Sequence, residues 1–68
     1  MADLVYKKIE IVGTSSESFS QATANAIAKA SQTVHNLSWF EVVEQRGNIA
    51  EGAIQQYQVT LRVGFKID

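Results

Sequence analysis

Cysteine and proline are absent from this 68-residue chain, histidine and tryptophan occur once each, and no long apolar run interrupts it. Each absence excludes something. Without cysteine there is no disulfide and no thiolate metal site. His35 stands alone, with no spacing to Asp or Glu that reads as a metal site. No stretch approaches the roughly 18 apolar residues of a membrane span, and no signal peptide precedes the first strand, so a cytoplasmic protein without membrane attachment is expected. Six Lys and Arg against seven Asp and Glu give a net charge of −1, scattered along the chain. A nucleic-acid footprint needs clustered Lys and Arg, and Lys7-Lys8 reads as a solvated strand edge instead.

What is present is enough for one domain, residues 1–68, with little core. A domain of this size hides about 60% of the surface its unfolded chain exposes. Its core alone rarely supplies more than roughly 3–5 kcal/mol, and small proteins add disulfides, a metal or self-association. Here only self-association is left.

Leu4 to Val12 alternates as a first strand, with Val5, Lys7, Ile9 and Ile11 on one face and Gly13 as its end. Thr14 to Ser18 is rich in helix-capping hydroxyls; Thr14 with Glu17 has capping-box spacing, as does Ser15 or Ser16 with a nearby acceptor, so the cap is open by one or two residues. Phe19, Ala22, Ala26, Ile27, Ala30 and Val34 recur at helical spacing, which predicts a helix from about Ser18 to Val34. Its alanine-rich stripe suits close approach to a sheet. His35-Asn36 ends it, His35 serving the helix dipole and Asn36 tolerating a left-handed conformation.

A second strand is predicted from about Leu37 to Arg46, a loop from Gly47 to Gly52, and a third strand from about Ala53 to Ile67. Tyr57, Val59, Leu61, Val63, Phe65 and Ile67 form an unbroken apolar row in that last strand, opposite Gln58, Thr60, Arg62, Gly64 and Lys66. Gly64 marks a bulge or a tight approach of another backbone. The order is α+β: β-α-β-β, with three antiparallel strands and one helix covering one face. The helix is expected to bury Val5, Ile9, Ile11, Phe40, Val42 and the Tyr57–Ile67 row.

By strict alternation Trp39, Glu41, Val43 and Gln45 share the uncovered face, while Phe40, Val42 and Glu44 point to the helix. A large flat ring on that polar face asks for a partner from outside the monomer. A hairpin about the Gly47–Gly52 loop puts Trp39 near Thr60 with Gln58 diagonal to it, within reach of a common flat ligand. Ser15 and Ser16 are caps rather than nucleophiles, since no base is placed for them, and Glu41 with Glu44 makes no convincing acid–base pair. No catalytic residue emerges.

Val5 to Ser15, Trp39 to Gly47, Tyr57-Gln58-Val59 and Val63-Gly64-Phe65 closely resemble the dodecin family in order and spacing. That resemblance implies a small flavin-binding protein whose sheet wraps partly around its helix, assembled as a hollow homododecamer. It implies that Trp39 stacks on the isoalloxazine ring, with a two-fold-related tryptophan closing a stack of two flavins. Gln58 would bind the polar edge of the ring, and Arg46 the flavin phosphate. Lys66, a lysine where an arginine occurs elsewhere in the family, would give a point charge but no bidentate fork. Glu44 would lie near the ribityl chain, although its parity favours an intersubunit salt bridge. Arg46 favours FMN over riboflavin, and coenzyme A is left open as a further ligand. The implied task is non-catalytic storage, sequestration and quenching of flavin. The alternative is an assembly protein whose Trp39 face makes only subunit contacts.

Overall fold

The computed structural model describes residues 3–68. Its elements are β1 (Tyr6–Ser15), α1 (Phe19–Ala30), β2 (Leu37–Ala50) and β3 (Ala53–Lys66). The three strands form one antiparallel sheet in the order β1-β3-β2. β3, the strand with the cleanest apolar alternation, is central. Its Val59, Leu61 and Val63 are fully buried and form the core with Ala22 and Ala26 of α1.

β1 does not stop at Gly13. It continues to Ser15, and Gly13 pairs with Val59. A methyl group on Gly13 would overlap the Ala22 carbonyl oxygen and the Ala26 side chain. The glycine is therefore a seat for the alanine face of α1 rather than a strand breaker. The helix cap also differs from the Thr14–Glu17 box. Ser18 is the N-cap, its Oγ accepting from the Gln21 amide at 2.9 Å. Ser15 Oγ accepts from the Glu17 amide at 2.9 Å and so shapes the turn before the cap. α1 closes at Ala30, short of Val34, with Ser31 as its C-cap. The amides of Thr33 and Val34 both donate to the Ala30 carbonyl in the turn that follows. Asn36 then takes the expected left-handed conformation, φ 64°.

The hairpin is tighter than a Gly47–Gly52 loop. Both strands run through that stretch to Ala50 and Ala53, and only Glu51 and Gly52 turn, at φ 54° and 77°. Positive φ at both central residues is what a type I′ hairpin turn requires. Moving the turn shifts the register, so Trp39 lies opposite Gly64 and not opposite Thr60.

A second irregularity decides which way side chains face. The pairing steps from Val42↔Leu61 to Glu44↔Thr60, leaving Val43 as an extra, bulged residue. Directly paired residues share a sheet face. Gln45 therefore joins the helix side opposite Val59, whereas Glu44 and Arg46 join Trp39 and Glu41 on the uncovered face. Strict alternation had placed Glu44 and Gln45 the other way round.

α1 packs on β1 and β3 and meets β2 only marginally, near Leu37, which packs against the core. Phe40 and Val42 face the helix side yet stay about half exposed, and Val5 and Ile67 are exposed as well. The expected burial of those four residues within one subunit is not realised. Twelve helical residues with an alanine face cover two strands and leave most of the third open.

Candidate functional site

The face of the sheet away from α1 is built in cross-strand rows. Tyr6 pairs with Lys66. The next row is Lys8, Gly64 and Trp39, followed by Glu10, Arg62 and Glu41. Val12, Thr60 and Glu44 come next, then Thr14, Gln58 and Arg46. Trp39 and Tyr6 make one end of this face aromatic; the other end is amide and guanidinium.

At the aromatic end, the Trp39 indole crosses over the central strand. A methyl built on Gly64 would overlap its six-membered ring, with Cε2, Cζ2 and Cη2 nearly equidistant from the methyl position. Three consecutive ring atoms are equidistant only from a point above the face of a ring, not beyond its edge. One face of the indole therefore rests on Gly64, whose buried backbone has no side chain to keep it away. Tyr6 packs against the indole, with centroids 5.0 Å apart and planes inclined at 62°, an edge-to-face arrangement that aromatic quadrupoles favour. Trp39 is nonetheless 40% exposed, so the indole is not tucked beneath the helix of its own subunit.

Lys8 shares the cross-strand row of Trp39, and Glu41 lies in the next row of the same face. The Lys8 ammonium donates to Glu41 Oε1 at 2.9 Å. That contact holds the Glu41 carboxyl below its usual range, with smaller help from the Trp39 indole N–H and the Arg62 guanidinium. Arg62 Nε in turn reaches Glu10 Oε1 at 3.3 Å. Both pairs are about half exposed, so their worth to stability is small.

At the polar end, Arg46 Nε donates to Gln58 Oε1 at 2.8 Å, and Gln58 Nε2 donates to Gln56 Oε1 at 2.8 Å. Arg46 and Gln58 are thus held together, with Glu44 one row away on the same face. Trp39 is not part of that group. Six residues separate Gly64, its pairing partner, from Gln58, roughly 20 Å of strand. Gln58 is not diagonal to Trp39, and no single flat ring reaches both within one subunit. Lys66 lies at the aromatic end, paired with Tyr6, eight residues along β3 from Gln58 and so roughly 27 Å away. Within one subunit Lys66 and Arg46 cannot meet on one phosphate.

Sequence reasoning missed the seat at Gly64, the Tyr6 contact, the Lys8–Glu41 bridge and the bulge at Val43. A glycine inside an otherwise regular apolar–polar strand was the one readable signal for the seat. Among the described residues, no three His, Cys, Asp or Glu side chains gather to hold a metal ion. Among those residues, likewise, no helix is long and apolar enough to cross a membrane.

Comparison with known proteins gives one consistent result. The dodecin family model matches residues 5–68. Over 64 residues the chain is 50% identical to a dodecin of Thermus thermophilus, covering 94% of this chain and 93% of that one. It is 36% identical over 63 residues to a protein of Mycobacterium tuberculosis called calcium dodecin, covering 93% and 89% of the two chains. The solved dodecin from Streptomyces davaonensis superposes with a TM-score of 0.95 at 52% identity, covering 98% of both chains.

Proposed function

Because the chain belongs to the dodecin family, we propose that it is a non-catalytic flavin-binding protein. It takes FMN in preference to riboflavin and works as a cytoplasmic store that also quenches flavin photochemistry. The observation that carries this reading is the Trp39 indole, seated on Gly64 and 40% exposed on the uncovered side of the sheet. A tricyclic isoalloxazine is a flat aromatic surface of the kind indole stacks on, and such a pair contributes about 0.5–1.5 kcal/mol beyond the area it buries.

The separation of Trp39 from Gln58 bears on how the rest of the site is assembled. The amide of Gln58 can both donate and accept, matching a ring edge that presents carbonyls and an N–H. Lying roughly 20 Å along the strand from the indole of its own subunit, it would serve a ring stacked on a neighbour's tryptophan. Arg46, bonded to Gln58, would then lie where a phosphate on that ligand's side chain could be met, and Glu44 beside it near the ribityl hydroxyls. Lys66 stays at the aromatic end, so its charge would act on a ligand approached from another subunit. A site shared in this way fits assembly as a homododecamer. Assembly would also cover the apolar Phe40 and Val42 that α1 leaves open.

A flavin against an indole loses its excited state by electron transfer from the indole. Binding therefore both removes flavin from the free pool and shortens its photochemically active lifetime. With a ring stacked on both sides, no room is left for a second substrate, which is why no turnover is assigned.

Titrating the protein with FMN and with riboflavin while following flavin fluorescence tests the reading. Quenching by the wild type, lost in Trp39→Ala with the assembly intact, is the expected result. No quenching by the wild type would leave only subunit contacts as the role of that face. Arg46→Ala should weaken FMN more than riboflavin, and equal loss for both would remove its phosphate role.

A further inference from the structure

Stacking needs more than an exposed indole. The ring has to be held with one face presented, or ordering it costs part of the binding free energy. Tryptophan on an open sheet has two side-chain torsions to fix. Three features of this structure fix them: the backbone of Gly64 beneath the ring, the Tyr6 ring at one side, and the Lys8–Glu41 bridge in the adjacent positions. Together they draw on all three strands, brought side by side only by the register.

We infer that Gly64 is a positioning residue for flavin binding: it is the floor on which the Trp39 indole lies, so the outer ring face is set before ligand arrives. This rests on the flavin reading above and adds to it which residue, touching no ligand, sets the affinity. The steric case is direct. Any side chain at position 64 occupies the space of the indole, because even a methyl overlaps the ring. Backbone strain is not involved, since among the glycines only Gly52 has positive φ. The requirement at position 64 is for empty space. Tyr6 acts in the same sense more weakly, bracing one side of the ring without excluding other orientations.

Trp39 is the only tryptophan in the chain, so indole emission reports on this ring alone. In the ligand-free wild-type assembly, time-resolved anisotropy should show a ring that turns with the particle, with little fast local motion. Gly64→Ala should add a fast component and expose the indole to iodide quenching. Its affinity for riboflavin should fall about tenfold, the factor that loss of one well-oriented aromatic contact corresponds to. Tyr6→Ala should give the same changes at a few-fold level.

An indole as immobile and an affinity as high in Gly64→Ala as in the wild type would overturn the inference while leaving the flavin reading intact. Failure of the wild type to bind either FMN or riboflavin would overturn the flavin reading, and with it a positioning role in binding. Should Gly64→Ala not fold by circular dichroism, Tyr6→Ala carries both measurements, and no change in either would overturn the inference. A last control separates positioning from a general loss of stability. In a Trp39→Ala background the methyl at position 64 meets no ring, so Gly64→Ala should then leave the unfolding midpoint unchanged.

Discussion

The helix-facing side of the sheet has two halves that look alike in sequence and behave differently in the fold. Under α1, Val59, Leu61 and Val63 are sealed against Ala22 and Ala26. One strand over, Phe40 and Val42 sit directly opposite Val63 and Leu61, on the same face, and are half exposed. Both sets are apolar and both alternate correctly. What separates them is the reach of a twelve-residue helix whose small side chains draw it close to Gly13 and β3 and leave Phe40 and Val42 of β2 uncovered. A short alanine face packs tightly over a narrow strip. The same closeness leaves the third strand for something outside the subunit.

The largest effect should come from the sealed half. Leu61→Ala should lower the unfolding free energy by about 2–5 kcal/mol, read from urea denaturation. That is comparable to all a core this small supplies, so a loss below about 1 kcal/mol would mean the five buried side chains are not the true core. Gly13→Ala follows at about 1–3 kcal/mol, the usual range for forcing an extra methyl into a packed site. Here the helix must lift from the sheet to admit it. A neutral outcome in the same denaturation series would show that α1 does not depend on close approach.

Phe40→Ala tests the open half. In an isolated subunit the half-exposed ring contributes about 1 to 1.5 kcal/mol, half the value of a fully buried one. Its main consequence should appear as mass. Sedimentation is expected to show the assembly falling to smaller species, and an unchanged particle would mean that β2's inner face is not an interface.

The smallest effect belongs to the other side of the sheet. Lys8 depresses the Glu41 carboxyl below its ordinary value of 4.5. A group with a depressed folded value contributes stability that is present above its unfolded value and lost as pH falls through the folded one. The urea midpoint should therefore decline from about pH 5 downward, slightly less steeply in Glu41→Gln than in the wild type. Identical acid limbs would show that the bridge adds nothing to stability. The indole position, followed by its emission, is then the readout left for it.

Much of this was legible beforehand. The element order, the antiparallel sheet, the apolar row of β3 and the placing of Trp39 opposite to Phe40 all follow from alternation and helical spacing. The local breaks were not. Gly47-Asn48 looks like a turn but lies within β2, while Glu51 supplies a positive φ that its residue type does not advertise. The bulge at Val43 has no sequence mark, yet it turns Glu44 and Arg46 onto the face with Trp39 and sends Gln45 to the other. Each is a one- or two-residue event. Because side chains alternate with a period of two, one residue is enough to reverse a face.

Taken alone, the order of residues determined which segments are strands and helix and which flat aromatic side chain lacks cover. It did so because burial of alternating apolar side chains is a local, periodic demand. Only the tertiary structure decided that the indole rests on Gly64 beside Tyr6, and that Gln58 and Arg46 lie a strand's length away from it. Register and bulges settle such distances, and they are set by where the hairpin turns and how near the helix comes. Neither is written at the positions that end up in contact.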